Sequence, residues 1–305
     1  MDACDLGCLL PLSGLTNPHF HPRKQARMTA LPPHVAIANH KGGVGKTALA
    51  HGLAVAAAEA GHRVLAIDMD PQASLTRRLR AQISPNPDEH LHASLAHVLE
   101  RPAVGEIERI LVPCGYGGIY SDRIRIAPSH LDLELVVRSA AQAASERRLL
   151  RAISGVVDDF DLVLIDCPPR LLCHLTDLAW TASDVLLIPC EGEYEAVQAA
   201  RRVKERVIAD RDTLNPKLEI AGMVVSRYRA NLTLHRQRAV EMEKIVGKEG
   251  MCPIRLPEYV SFKKATENAR PLAELGSEEK QMASLFRDVY KWSRDRIDTV
   301  MKEAA

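Results

Sequence analysis

Apolar residues in this chain gather in short unbroken runs, and longer stretches with a helical repeat lie between them. Val35-Ala36-Ile37-Ala38 reads as a buried strand. A glycine-rich loop follows, then a helix from about Thr47 to Ala60 that Gly61 ends, then a second buried strand over Arg63-Val64-Leu65-Ala66-Ile67-Asp68. Further strands are predicted at Ile124 to Ala127, Leu162 to Ile165, Val185 to Ile188 and Ile220 to Val225. Helical spacing marks Leu131 to Ile153, Glu195 to Asp210, Leu234 to Val246 and Ser277 to Lys302. Strands alternating with helices predict an α/β fold, a single doubly wound and mostly parallel sheet flanked by helices, with its ligand site at the carboxyl ends of the strands. Residues 84–123, rich in Pro, His and Gly, carry no clear pattern.

Residues 1–33 hold five prolines and no sustained period, and they read as a flexible N-terminal tail before a domain spanning 34–305. The 305 residues are 46% hydrophobic and 26% charged, which excludes a mainly disordered, collagen-like or disulfide-stapled chain. With 40 Lys+Arg against 39 Asp+Glu, the net charge of +1 gives no whole-chain attraction for nucleic acid or anionic lipid. Binding to either would need a local basic patch. The seven cysteines contain no C-x-x-C and read as reduced thiols of a cytosolic protein. Leu6 to Leu15 is apolar but follows Asp2 and Asp5 instead of a cationic segment, which is not the pattern of a signal peptide. No run of about 18 apolar residues suggests a membrane span.

The loop His40-Lys41-Gly42-Gly43-Val44-Gly45-Lys46-Thr47 lies between the first strand and the first helix, where a phosphate cradle belongs. Phosphate needs closely approaching backbone N–H groups, which glycine permits, a helix N-terminus and a lysine. Lys46 is placed to hold β- and γ-phosphates and Thr47 to ligate Mg²⁺. His40 stands where the strict G-x-x-x-x-G-K-[ST] pattern has its first glycine.

These residues resemble the deviant Walker A group of P-loop ATPases and, within it, the ParA partition family. The likeness covers about Val35 to Leu275. It implies ATP and Mg²⁺ as cofactors, held by Lys41, Gly42, Gly43, Val44, Gly45, Lys46, Thr47 and Ala48. Lys41 matches the family's additional lysine, which reaches the partner's phosphates in an ATP-held homodimer. Asp68-Met69-Asp70-Pro71-Gln72 is similar to the family's switch I, so Asp70 would orient the attacking water, with Lys41 and Lys46 as the other catalytic groups. Leu162 to Pro169 is similar to the Walker B strand and switch II, so Asp166 would join Thr47 in holding the metal. Arg170 departs from the serine frequent there. Arg227 and Pro257 fall where the family contacts adenine, and Glu193-Tyr194 where an acidic-aromatic pair follows the fourth core strand.

Arg227, Arg229, Arg236 and Arg238 come with no acid among them, and Lys263, Lys264 and Arg270 follow. A solvated helix face is the plain explanation of such a stretch. The resemblance makes Arg229, Arg236, Arg238, Lys263, Lys264 and Arg270 candidates for nonspecific double-stranded DNA. It further implies a weak ATPase stimulated by a ParB-like centromere-binding partner, located in the cytoplasm on the nucleoid, with no membrane partner. Two alternatives are a membrane-positioning ATPase of the MinD kind and a positioner of some non-DNA cargo. Acids mix with bases along the final helix, so its apolar stripe is expected to dock on the sheet and not on a membrane.

Overall fold

A computed structural model describes residues 31–81, 94–138, 145–229, 232–258 and 270–304. The tail up to residue 30, Lys263 and Lys264 lie outside the described residues. One eight-stranded sheet organises the rest, in the order β3-β4-β2-β5-β1-β6-β7-β8. The strands are β1 (His34–Ile37), β2 (Val64–Asp68), β3 (Val112–Pro113), β4 (Ile124–Ala127), β5 (Leu162–Asp166), β6 (Val185–Glu191), β7 (Glu219–Tyr228) and β8 (Met251–Pro257). All pairings are parallel except that of β3 with β4 at one edge.

Because the central strands are buried on both faces, their sequences are continuous apolar runs and not alternating ones. One face carries α1 (Lys46–Glu59), α2 (Ser74–Arg78), α4 (Gly118–Arg123) and α10 (Ser277–Glu303). The opposite face carries α3 (Leu95–Glu100), α5 (Leu133–Arg138), α6 (Arg148–Ile153), α7 (His174–Thr181), α8 (Tyr194–Ala209) and α9 (Thr233–Val246). The predicted fold class is the one observed, and six predicted strands match within a few residues.

Two expectations change. Leu131 to Ile153 is not one helix: α5 and α6 are separate, and a 3-10 turn at Ser145–Arg147 precedes α6. β6 continues past its predicted end at Ile188 to Glu191, through Pro189. β1 pairs with β6 only as far as Leu187, so Pro189 lies where that side of β6 has lost its neighbour and its missing N–H breaks no ladder. The Asn39 side chain takes over there, donating to the Pro189 carbonyl at 2.8 Å. These three extra residues carry Glu191 into the site.

The final helix docks as expected. Met282, Phe286, Val289, Tyr290, Ile297 and Val300 are buried against the sheet and α1. Phe286 sits so close to α1 that a Cβ on Gly52 would come within 2.1 Å of its ring. No helix among the described residues is long and apolar enough to cross a membrane.

Candidate functional site

β1 ends at Ile37 and its neighbours β5 and β6 lead to different sides of it, so the loop from Asn39 to Gly45 opens at the sheet's switch point. Gly43 and Gly45 adopt left-handed backbone, φ 83° and 90°, which other residues enter at a cost. That conformation delivers the chain into α1 with its first N–H groups turned toward the loop. One contact within the loop and two from outside fix it: the Lys41 N–H donates to Asn39 Oδ1 at 3.1 Å, Ser226 Oγ donates to the Val44 carbonyl at 2.7 Å, and the Leu171 N–H donates to His40 Nδ1 at 3.1 Å.

Lys46 is buried at the start of α1, and its ammonium donates to the Lys41 carbonyl at 3.1 Å. Burial lowers its pKa, while the charge of Asp166 acts to keep the proton on. Two acids end adjacent strands beside it, Asp68 on β2 and Asp166 on β5, paired in register and both fully buried.

Their surroundings differ. Asp68 accepts the Thr76 N–H and hydroxyl, each at 2.8 Å, and the Asp70 N–H at 3.2 Å. Burial nonetheless pushes its pKa up to about 6. Asp166 is raised well above the ordinary carboxylate range, by burial first and then by the charge of Asp68. The Thr47 hydroxyl faces it, yet neither carboxylate oxygen closes a hydrogen bond of good geometry. A buried carboxylate in this condition is costly unless a cation answers it. Oxygen donors from Asp166 and Thr47 beside a phosphate-binding loop suit Mg²⁺, which takes one or two protein oxygens together with phosphates.

Asp70 follows, half-buried, with Oδ1 accepting the Gln72 N–H at 3.0 Å. Ser129 Oγ donates to the Asp70 carbonyl at 2.7 Å, and the Ser129 N–H donates to Thr76 Oγ1 at 3.0 Å. Switch I is thereby tied to the residues after β4, a set of contacts that no local motif announces.

Lys41 does not face Lys46. Its ammonium pairs with exposed Glu193 and lies 3.7 Å from the buried carboxylate of Glu191. Burial works against its charge, but the Glu193 hydrogen bond and the two carboxylates outweigh that and raise its pKa. Glu191 also accepts from Arg227 at 2.9 Å, so the two cations share it. Arg227 has left-handed backbone, φ 50°. Pro257 is exposed beside it, opposite Tyr228 in the β7–β8 register.

The basic candidates are paired with acids in the fold, two of them with acids three or four residues further along the chain. Arg229 pairs with Glu258, Arg238 with Glu241 while lying 5.2 Å from the Tyr194 ring centre, and Arg270 with Glu274 at 3.3 Å. Arg236 is exposed. Two further residues were not singled out by sequence reasoning, Glu191 and Arg206. The Arg206 guanidinium lies 4.8 Å from the Trp180 ring centre, bonds Asp177 and Asp210, and donates to the Leu171 carbonyl in the segment that follows β5. Nothing in its local sequence separates it from the arginines and lysines around it on α8.

A family described as an AAA domain matches residues 33–220. An uncharacterized protein of Mycobacterium tuberculosis H37Rv is 36% identical over 199 residues, 64% of this chain but only 58% of its own length. The chromosome partitioning protein ParA of Caulobacter vibrioides NA1000 is 32% identical over 278 residues, which are 88% of this chain and 98% of that protein. Among solved structures, cobyrinic acid a,c-diamide synthase from Mycobacterium smegmatis with bound ATP analog and magnesium aligns with a TM-score of 0.68 at 26% identity, over 86% of this chain and 93% of that one.

Proposed function

This chain belongs to the ParA family of P-loop ATPases, and from that premise we propose that it hydrolyses ATP to drive partition of DNA. The observation that supports ATP with Mg²⁺ is the buried Asp166 carboxylate, which closes no hydrogen bond of good geometry and faces Lys46 and Thr47 in the first turn of α1. Thr47 and Asp166 would hold the cation. Bound there, Mg²⁺ supplies charge neutralisation on the β- and γ-phosphates.

The chain's own residues do the rest. Backbone N–H groups from Gly42 to Ala48 receive phosphate oxygens, and Lys46 exchanges the Lys41 carbonyl for the β- and γ-phosphates. Asp70, aimed from the end of β2, holds the water that attacks. Lys41 leaves Glu193 and Glu191 to reach phosphates across an ATP-held homodimer, adding positive charge where the transition state develops negative charge. Arg227 and Pro257 border the base. Pairing two subunits would double the surface bearing Arg229, Arg236, Arg238 and Arg270, with Lys263 and Lys264, for nonspecific duplex DNA on the nucleoid of the cytoplasm. A ParB-like centromere-binding partner would stimulate hydrolysis and release it.

Sedimentation with nonspecific duplex DNA tests this, in ATP, in ADP and without nucleotide. DNA-bound protein is expected in ATP alone, no ATP binding in Lys46→Ala, and an ATP-locked, DNA-bound Asp70→Ala. Equal DNA affinity in all three conditions would overturn the DNA reading. The carboxylates paired with Arg229, Arg238 and Arg270 favour a second reading, in which the same ATPase positions a non-DNA cargo. An ATP-dependent dimer that ignores DNA would select it. The burial of Met282, Phe286, Val289, Ile297 and Val300 supports docking of α10 on the sheet over a MinD-like anchor.

A further inference from the structure

The segment from Cys167 to Cys173 leaves β5 and belongs to no strand or helix, so its buried backbone groups must find partners elsewhere. Leu171 is buried, and both of its backbone groups are taken by side chains from distant parts of the chain. Its N–H donates to His40 Nδ1 in the phosphate loop, 131 residues earlier, at 3.1 Å. Its carbonyl accepts from Arg206 on α8. A backbone N–H can only donate, so His40 Nδ1 is the acceptor and its ring proton resides on Nε2.

The two ends of this clamp differ in stiffness. Arg206 is fixed by Asp177, by Asp210 at 2.8 Å and by the Trp180 ring beneath it, all on the helical layer. His40 instead belongs to the loop that closes on phosphate, directly before Lys41. One hydrogen bond therefore joins the nucleotide loop to the segment that follows Asp166, and a rigid anchor holds the far side of the same residue.

We propose that His40 is a positioning residue for hydrolysis, holding switch II in register with the phosphate loop through the Leu171 N–H against the Arg206 anchor. The residue at the point where the loop departs from the strict P-loop pattern thereby acquires a role. This inference rests on the ATPase reading for its kinetic consequence but not for the clamp itself. An acceptor placed close to Nδ1 is what matters, and the Oδ1 of an asparagine can supply one.

The test compares wild type, His40→Ala and His40→Asn by three measurements: hydrogen exchange of peptides covering 167–173 without nucleotide, binding of a fluorescent ATP analogue, and steady-state hydrolysis. Exchange in 167–173 should accelerate in His40→Ala and return toward wild type in His40→Asn. Loss of one neutral hydrogen bond should lower kcat about fivefold with analogue affinity changed less than about twofold. Unchanged exchange in His40→Ala would overturn the clamp. A kcat equal to wild type, or a fall in affinity matching the fall in kcat, would overturn the positioning role. If wild type itself neither binds the analogue nor hydrolyses ATP, the ATPase reading fails, while the exchange measurement still decides the clamp.

Discussion

Replacing Lys46 by methionine removes a charge while keeping most of the side chain's bulk, and the structure sets the outcome before any nucleotide is added. Lys46 is the buried ammonium beside the fully buried carboxylate of Asp166, whose neighbour across the strands, Asp68, is equally buried. Lys46 is the cation whose charge offsets Asp166. Removing one partner from a buried charge pair costs about 3–5 kcal/mol. For a chain of this length that is a fall of about 5–8 °C in melting temperature. The sign of the pH dependence follows from the acids. Both carboxyls have raised pKa values, Asp68 to about 6, so the folded state binds protons that the unfolded state does not, and the deficit shrinks as pH falls toward 5. Adding Asp166→Asn to the variant should restore much of the loss at neutral pH. Thermal unfolding in EDTA at pH 7.5 and 5.0 measures all of this. A Lys46→Met protein as stable as wild type at pH 7.5, or a deficit independent of pH, would refute the role of Lys46 as counter-ion to Asp166.

Three other outcomes are expected. Burial moves His51 down to about 3, so its contribution is complete well above pH 6.5 and is lost as pH falls; wild type should lose about 1.6 kcal/mol through this residue between pH 6.5 and 5, and His51→Gln should not, by urea unfolding. Glu193 is exposed and Glu191 buried, so Glu193→Gln should shift the ATP concentration for dimerisation by less than about threefold, whereas Glu191→Gln, which releases both Lys41 and Arg227, should shift it more in light-scattering titrations; the reverse order would show that Glu191 does not govern Lys41. Gly52→Ala should cost about 1–3 kcal/mol, because the new methyl meets the Phe286 ring, and a melting temperature equal to wild type would show that α10 gives way at no cost.

The candidate phosphate loop could be picked out along the chain because its chemistry is local. Three glycines, two lysines and a threonine must be contiguous to wrap a phosphate, and the strand and helix around them have the plainest patterns in the chain. Asp166 and the Asp68-Met69-Asp70 turn became candidates for the same reason, since Asp68 and Asp166 each close an apolar run. What escaped were side chains recruited through space. Glu191 hides behind Pro189, which reads as the end of a strand until the short reach of β1 and the Asn39 side chain explain why the strand continues. Arg206 bonds the Leu171 carbonyl from 35 residues away, and only the fold reveals that its neighbours on α8 do not.

The same limit governs the basic residues. Counting along the chain, Arg227 to Arg238 is a stretch without an acid. In the fold, Glu191 approaches Arg227, Glu258 approaches Arg229 and Glu241 approaches Arg238. Exposed ion pairs of this kind are weak, about 0–1 kcal/mol each, so phosphates can displace the acids wherever several arginines act together. A single subunit offers few such exchanges, and each leaves a carboxylate repelling the DNA it has surrendered its arginine to. Two subunits double the number of phosphate contacts without changing any one pair, and the salt dependence of binding rises with that number. On the proposed DNA reading, the near-zero charge of the chain and its local pairing would act in the same direction: they would hold the lone subunit off DNA and leave dimerisation as the step that tips the balance.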